Sequence, residues 1–212
     1  MSQRPSESTA HSLAPTGVLP PSSATSLCQS LFVGSIGFCL VSTAVFATVA
    51  FGERWLYGHL GVALTYAFWT LLFVLGGGAV VARLNRGCQS LPRSYAMFAL
   101  AFFLFAVGWT AAYFATKLAV RELLGVIVGT LLMGLTFLVA SAAMKHFVRV
   151  VLVLLLTNAV GYFAGRVIWQ TLGGKAGMIL WGVLFGLGLG LGLGYTLYVC
   201  RASATAPPAK AA

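Results

Sequence analysis

Asn158, Gly161, Tyr162, Gly165 and Trp169 recur at i, i+3, i+4, i+7 and i+11, the spacing of one helical face. Asn158 is the only carboxamide deep inside an apolar stretch of this chain. An amide left unpaired in hydrocarbon is costly, so it must find a partner. Two readings follow. One is an interhelical hydrogen bond beside a Gly161-x-x-x-Gly165 packing patch, stabilising by on the order of 0.6–2 kcal/mol; the other is a polar contact to a ligand in a cavity. Glu122 and Arg166 stand at the ends of two neighbouring apolar stretches, where they can form an interfacial ion pair. Such a pair is structural in the first instance, and gating or headgroup binding is its functional reading. Phe98, Phe102, Phe105, Trp109 and Tyr113 make an aromatic stripe at helical spacing. That stripe either packs against small residues and lipid or cradles an isoprenoid, a quinone or a pigment.

Catalytic constellations lack their parts. The chain holds three carboxylates, Glu7, Glu53 and Glu122, and no aspartate, while His11, His59 and His146 are dispersed along it. A Ser–His pair with an orienting acid, a carboxylate dyad and a metal triad cannot be assembled from these. A phosphate-gripping glycine loop with Lys-Ser or Lys-Thr is absent from the sequence. Cys28, Cys39, Cys88 and Cys200 form no C-x-x-C pair and have no histidine at ligand spacing. They are read as small apolar fillers, with a shared metal or redox site, or S-acylation, as the sharper alternatives. We expect no enzyme, no metal and no cofactor.

The elements that must position these residues are set by hydropathy. Of 212 residues, 59% are hydrophobic and only 8% charged, against roughly a quarter charged in soluble domains. Six apolar stretches, 30–51, 60–82, 95–116, 123–144, 148–169 and 177–199, each approach the roughly 20 residues needed to span a bilayer as a helix. The expected fold is an all-α, six-helix antiparallel transmembrane bundle over 30–199, its neighbours joined by short loops, the tightest being Lys145-His146-Phe147. Disordered tails at 1–29, rich in Ser, Pro and Thr, and at 200–212 flank it. With six crossings, one face carries Arg4, Arg83, Arg86, Arg93, Lys145, Arg149, Arg201 and Lys210, the other Arg54, Lys117, Arg121, Arg166 and Lys175. That bias puts both termini in the cytoplasm. The net charge of +10 is read as topology signal and attraction to anionic lipid, not as a nucleic-acid footprint.

The sixth stretch contains Gly182 through Gly194 as GVLFGLGLGLGLG. On a helix, Gly182, Gly186, Gly190 and Gly194 form one groove and Gly188 and Gly192 a second, roughly opposite. A strand would align all of these glycines but could not satisfy its backbone in lipid. Missing side chains let neighbouring backbones approach, so this helix is expected in the middle of the bundle, with a flexible gating helix as the alternative. Gly76-Gly77-Gly78 marks either close packing or a local break. The functional expectation is a multi-pass membrane protein of the bacterial cell membrane with a non-enzymatic interaction or assembly role. Its partners would be the bilayer and either a second copy or another membrane protein. The alternatives are a small-solute or lipid-like ligand transporter, or its membrane-embedded binding component, and a carrier of a pigment, quinone or lipid on the aromatic stripe.

Overall fold

In the computed structural model, which describes residues 26–117 and 120–205, all regular structure is helical. The elements are α1 (Leu27–Leu84), α2 (Leu91–Ala115), α3 (Arg121–Ala140), a 3₁₀ turn (Met144–His146), α4 (Phe147–Leu172) and α5 (Gly174–Thr205). Five helices are long and apolar enough to cross a membrane.

The expected stretches 30–51 and 60–82 both fall within α1, and the loop expected between them is helical. The interruption comes later, at Gly61, whose φ of 71° and ψ of 176° lie outside the helical region. A positive φ is steric strain for a residue with Cβ and open to glycine. The residues on either side of Gly61 pack on one another in opposite directions. A methyl group added at Gly37 would meet Val80 at 2.7 Å, one at Gly76 would meet Val41 at 2.8 Å, and the Phe38 and Phe73 rings are 6.3 Å apart. Gly76-Gly77-Gly78 therefore lies within continuous helix as a packing patch, with Gly77 under the Phe98 ring and Gly78 under Tyr95.

Local chemistry shifts the other ends. α2 starts at Leu91, ahead of the expected 95, with Ser90 in the N-cap position and Pro92 in the first turn, where a missing N–H does no harm. α3 stops at Ala140, short of the expected 144. Its carbonyls are closed by Ala142 N–H to Val139 at 3.2 Å and Ala143 N–H to Leu138 at 2.9 Å, with Ala142 at φ 50°. This is the paired 5→2 and 6→1 closure that ends many helices, here with alanine in the left-handed position usually held by glycine. The link to α4 is consequently longer than Lys145-His146-Phe147. Between α4 and α5 the expected loop shrinks to Gly173 at φ 62°. α1 and α5 begin and end beyond the expected 30 and 199, and the remainder of the two expected tails, 1–25 and 206–212, lies outside the described residues.

The helices pack in two groups. α5 lies between α1 and α4, while α2 pairs with α3; α1 touches α2 and α3 touches α4 to join the groups. Phe38, Phe98, Phe137, Leu154, Leu189 and Leu193 are fully buried among them. The large apolar side chains left exposed, such as Phe32 and Leu64 of α1, Phe103 of α2, and Leu156 and Val160 of α4, point outward, as lipid-facing residues do.

Candidate functional site

The two polar expectations on α4 separate once the helices are in place. Asn158 is buried, and its Nδ2 donates to Thr130 Oγ1 of α3 at 3.0 Å. Gly161 and Gly165 face α5: a methyl group at Gly161 would lie 2.5 Å from the Leu184 carbonyl oxygen, and Gly165 abuts Trp181. Tyr162 lies edge-on to Trp181 and Phe185 of α5 at the wall of a cavity, while Trp169 stacks on Trp181 at 5.3 Å between ring centroids. Glu122 and Arg166 form an ion pair between α3 and α4. Arg121 beside it lies over the Tyr113 ring, 4.5 Å from the centroid.

The glycines of α5 occupy two seams. On one side Gly182 meets Phe46, Gly186 meets Phe38 and Cys39, Gly190 meets the Gly34 carbonyl, and Gly194 meets the Ser30 carbonyl, all on α1. On the other side Gly188 and Gly192 meet Thr157, Gly161 and Leu154 of α4. Both grooves are filled within the chain. The α2–α3 contact uses the same device through Gly108, Gly125 and Gly129, with a methyl at Gly129 falling 2.8 Å from the Phe105 carbonyl. The Gly125-x-x-x-Gly129 spacing signals this in sequence, and the sequence reading passed over it.

Where the α2–α3 pair meets α1, α4 and α5, the backbones are held apart by rings. The α2 stripe runs from the buried Phe98, whose ring is 5.5 Å from Phe38, through Phe102, which stacks on Phe73 at 4.7 Å, to Trp109 on Tyr113 at 5.0 Å. Between the stripe and the other helices lies a cavity of about 210 Å³, walled by Phe102, Phe105, Ala106, Trp109 and Thr110 of α2, Phe46 of α1, Tyr162 of α4, and Trp181 and Phe185 of α5. The structure thus brings the aromatic stripe and Tyr162, two separate candidates in the sequence, to one site. Phe46, Trp181 and Phe185 were missed; the i, i+4 spacing of Trp181 and Phe185 is their only sequence signal.

The chemistry of this cavity is narrow. Seven of its nine lining residues are aromatic, and the two hydroxyls among them belong to Thr110 and Tyr162. The Trp181 indole N–H is fully buried, on the ring edge that Gly165 abuts, and has no hydrogen-bond partner among the described residues. An apolar cavity of about 150 Å³ admits benzene, so this one has room for a substituted ring. Asn158, the polar ligand contact expected from sequence, is not among its walls.

A second concavity lies at the end of the bundle where α1 runs into α2 and α3 into α4. It measures about 390 Å³ and is lined by polar groups including Asn85, Gln89, Arg93, Ser141 and Arg201, together with Cys88 and Cys200. Cys200 is buried with its thiol toward the Phe137 carbonyl at 3.7 Å; Cys28 and Cys88 are exposed and Cys39 half-buried. Among the described residues no three His, Cys or acidic side chains gather at metal-binding distance. His59 stacks on Trp55 and His146 lies in the 3₁₀ turn; His11 lies outside the described residues. Comparison with family models, with curated proteins and with solved structures finds no match to this chain.

Proposed function

We propose that this chain is a non-enzymatic, multi-pass membrane protein that binds a small ring-bearing molecule carrying a carbonyl-type acceptor, the chemistry of a quinone head or related apolar ring. The observation that carries this reading is the cavity lined by seven aromatic side chains together with Ala106 and Thr110. Rings bind rings through offset and edge-on stacking, and the Thr110 and Tyr162 hydroxyls among the lining residues are donors for a ligand that supplies an acceptor. The ligand-binding role takes precedence over the interaction or assembly role because the glycine grooves that motivated assembly are filled internally. It also narrows the transport reading to lipid-like ligands, since a polar solute needs polar walls near the midplane.

The topology that goes with this function has six crossings, with the break at Gly61 as the first extramembrane turn and both termini on the cytoplasmic side of a bacterial cell membrane. The antiparallel contacts across Gly61 and the excess of arginine and lysine on the face shared by both tails support it.

The test is calorimetric titration of a short-chain benzoquinone into the protein purified in mild detergent, with Tyr162→Phe and Ala106→Leu variants. Saturable binding should weaken about tenfold in Tyr162→Phe, the effect of one lost hydrogen bond. It should disappear in Ala106→Leu, which fills the cavity from a wall that already has space. Binding that is unsaturable, or unchanged in both variants, overturns the proposal. A stoichiometric protein partner copurifying with an empty cavity would restore the assembly role.

A further inference from the structure

We infer that the aromatic cavity opens sideways into the bilayer between α1 and α2, and that its ligand is a ring bearing a long hydrocarbon chain, which lies in that opening while the ring occupies the cavity. This rests on the ring-binding role proposed above. Size sets the need for an opening. At about 210 Å³ the cavity exceeds the roughly 150 Å³ that admits benzene by enough for ring substituents and no more. A chain has to leave it.

The other ways out are closed by contacts. Toward the ends of α2 and α4, Tyr113 stacks on Trp109 and Trp169 on Trp181. In the opposite direction the Phe73, Phe98 and Phe102 rings stack on one another. Toward α3, the Phe105 ring lies against Gly129, where an added methyl group would come within 3.0 Å of it. α3 is held to α4 through Thr130 and Asn158, and α5 is sealed to α1 and α4 by its glycines.

Between α1 and α2 the packing gives out. Val62, Tyr66, Trp69 and Phe73 of α1 fall at i, i+4, i+7 and i+11 and share one face. Phe73, stacked on Phe102 of α2, is 4% exposed; Trp69 is half-buried, Tyr66 is 57% exposed and Val62 64%. A face covered by α2 at one end and bare at the other means that the two helices separate beyond Phe73. α2 shows the same divergence. Thr110 lines the cavity yet is itself exposed, and it lies about 140° round the helix from Phe105, away from α3. It continues the exposed stripe of Phe103, Val107 and Phe114, again at i, i+4, i+7 and i+11. The α1 side of the gap belongs to the apolar stretch 60–82, so the medium that meets the cavity mouth is hydrocarbon. An amphiphile dissolved in the bilayer can bring its ring to the site without passing through water.

Photolabelling in lipid nanodiscs tests this, with a benzoquinone whose decyl chain carries a diazirine midway along it. Labelled residues are mapped by mass spectrometry with and without an excess of the short-chain benzoquinone. The labelling that the short-chain compound removes should fall on 62–72 of α1 and 103–114 of α2. Unlabelled decyl-benzoquinone should compete at least as well as the short-chain compound at equal concentration in the lipid. A closed cavity would have to overpack to accept the chain, which would weaken that competition about tenfold. Such a loss, or competed labelling on α3 or on the lipid-facing residues of α4, overturns the lateral opening and leaves the ring site standing. Labelling that the short-chain compound reduces at no residue overturns the ring site itself, and this inference with it.

Discussion

α5 and α2 pack against their neighbours by opposite means. Along α5 the contact is backbone on backbone: Gly190 lies against the Gly34 carbonyl and Gly188 against the Thr157 carbonyl, with no side chain between. Along α2 the contact toward α1 and α5 is ring on ring, with Phe102 stacked on Phe73 and Phe105 and Trp109 facing Trp181 and Phe185 across open space. Removing side chains closes a seam to van der Waals contact. Large flat side chains space the backbones widely and cannot fill every gap between them, so the aromatic cavity lies on the ring seam. Tight association and a binding site thus come from residues of opposite size on neighbouring helices.

The largest expected effect sets the two seams directly against each other. Gly190→Leu places four carbons where the opposing atom is a carbonyl that cannot swing aside. The helices must separate, and the loss should be about 3 kcal/mol or more, at or above the upper end for overpacking. Ala106→Leu adds less volume, but into the cavity, and should change stability by under about 1 kcal/mol. Thermal unfolding in detergent, followed by tryptophan fluorescence, measures both. Equal destabilisation would mean that the cavity collapses or is filled in the folded protein, and the contrast between the seams would fail.

Truncation inside the ring seam should cost an intermediate amount. Phe102→Leu removes stacking on Phe73, Phe98 and Phe105 while keeping an apolar side chain. Loss of aromatic contacts beyond simple burial is on the order of 1.5 kcal/mol. The same variant enlarges the cavity, so a bulkier substituted ring should bind it better than it binds the parent protein. Destabilisation as large as that of Gly190→Leu would show the rings to be as tightly interlocked as the glycine seams.

Asn158 tests a third kind of contact, a single polar pair in an otherwise apolar interface. Asn158→Leu removes the bond to Thr130 and should destabilise by about 1 kcal/mol, and a double-mutant cycle with Thr130→Val should recover most of it as coupling. Coupling near zero would mean that the Asn158 amide is held by something other than Thr130.

How much of this was legible in the sequence follows from what each feature depends on. That the chain is helical and apolar enough to cross a membrane was readable, as was the glycine spacing of α5, because hydropathy length and glycine spacing are properties of single segments; the six-helix count was not, since 30–51 and 60–82 fall in one helix. The boundaries were not. Whether α3 ends at Ala140 depends on Ala142 adopting a left-handed conformation that composition does not announce, and the α1 break falls at Gly61 rather than at Gly52 or Gly58. The aromatic stripe and Tyr162 were both found, yet their meeting was invisible because it depends on which helix faces which. Asn158 and Tyr162, one helical step apart, read as a single polar site; in the bundle they serve different neighbours, α3 for one and the cavity for the other.

The smallest effect is expected at Glu122 and Arg166, where the α3–α4 contact opens at its end. Their side chains are 19% and 34% exposed, so water and salt reach the pair and most of its Coulomb attraction is screened. Glu122→Gln should therefore cost under about 1 kcal/mol, and raising salt should shrink the difference from the parent protein. Neither residue lines the aromatic cavity, so ring binding should be unchanged in the same variant. A loss well above 1 kcal/mol that persists in high salt would place the pair in a dry environment. The ion pair would then close the end of the seam as firmly as the glycines close its middle, and packing by size would no longer account for how these helices hold together.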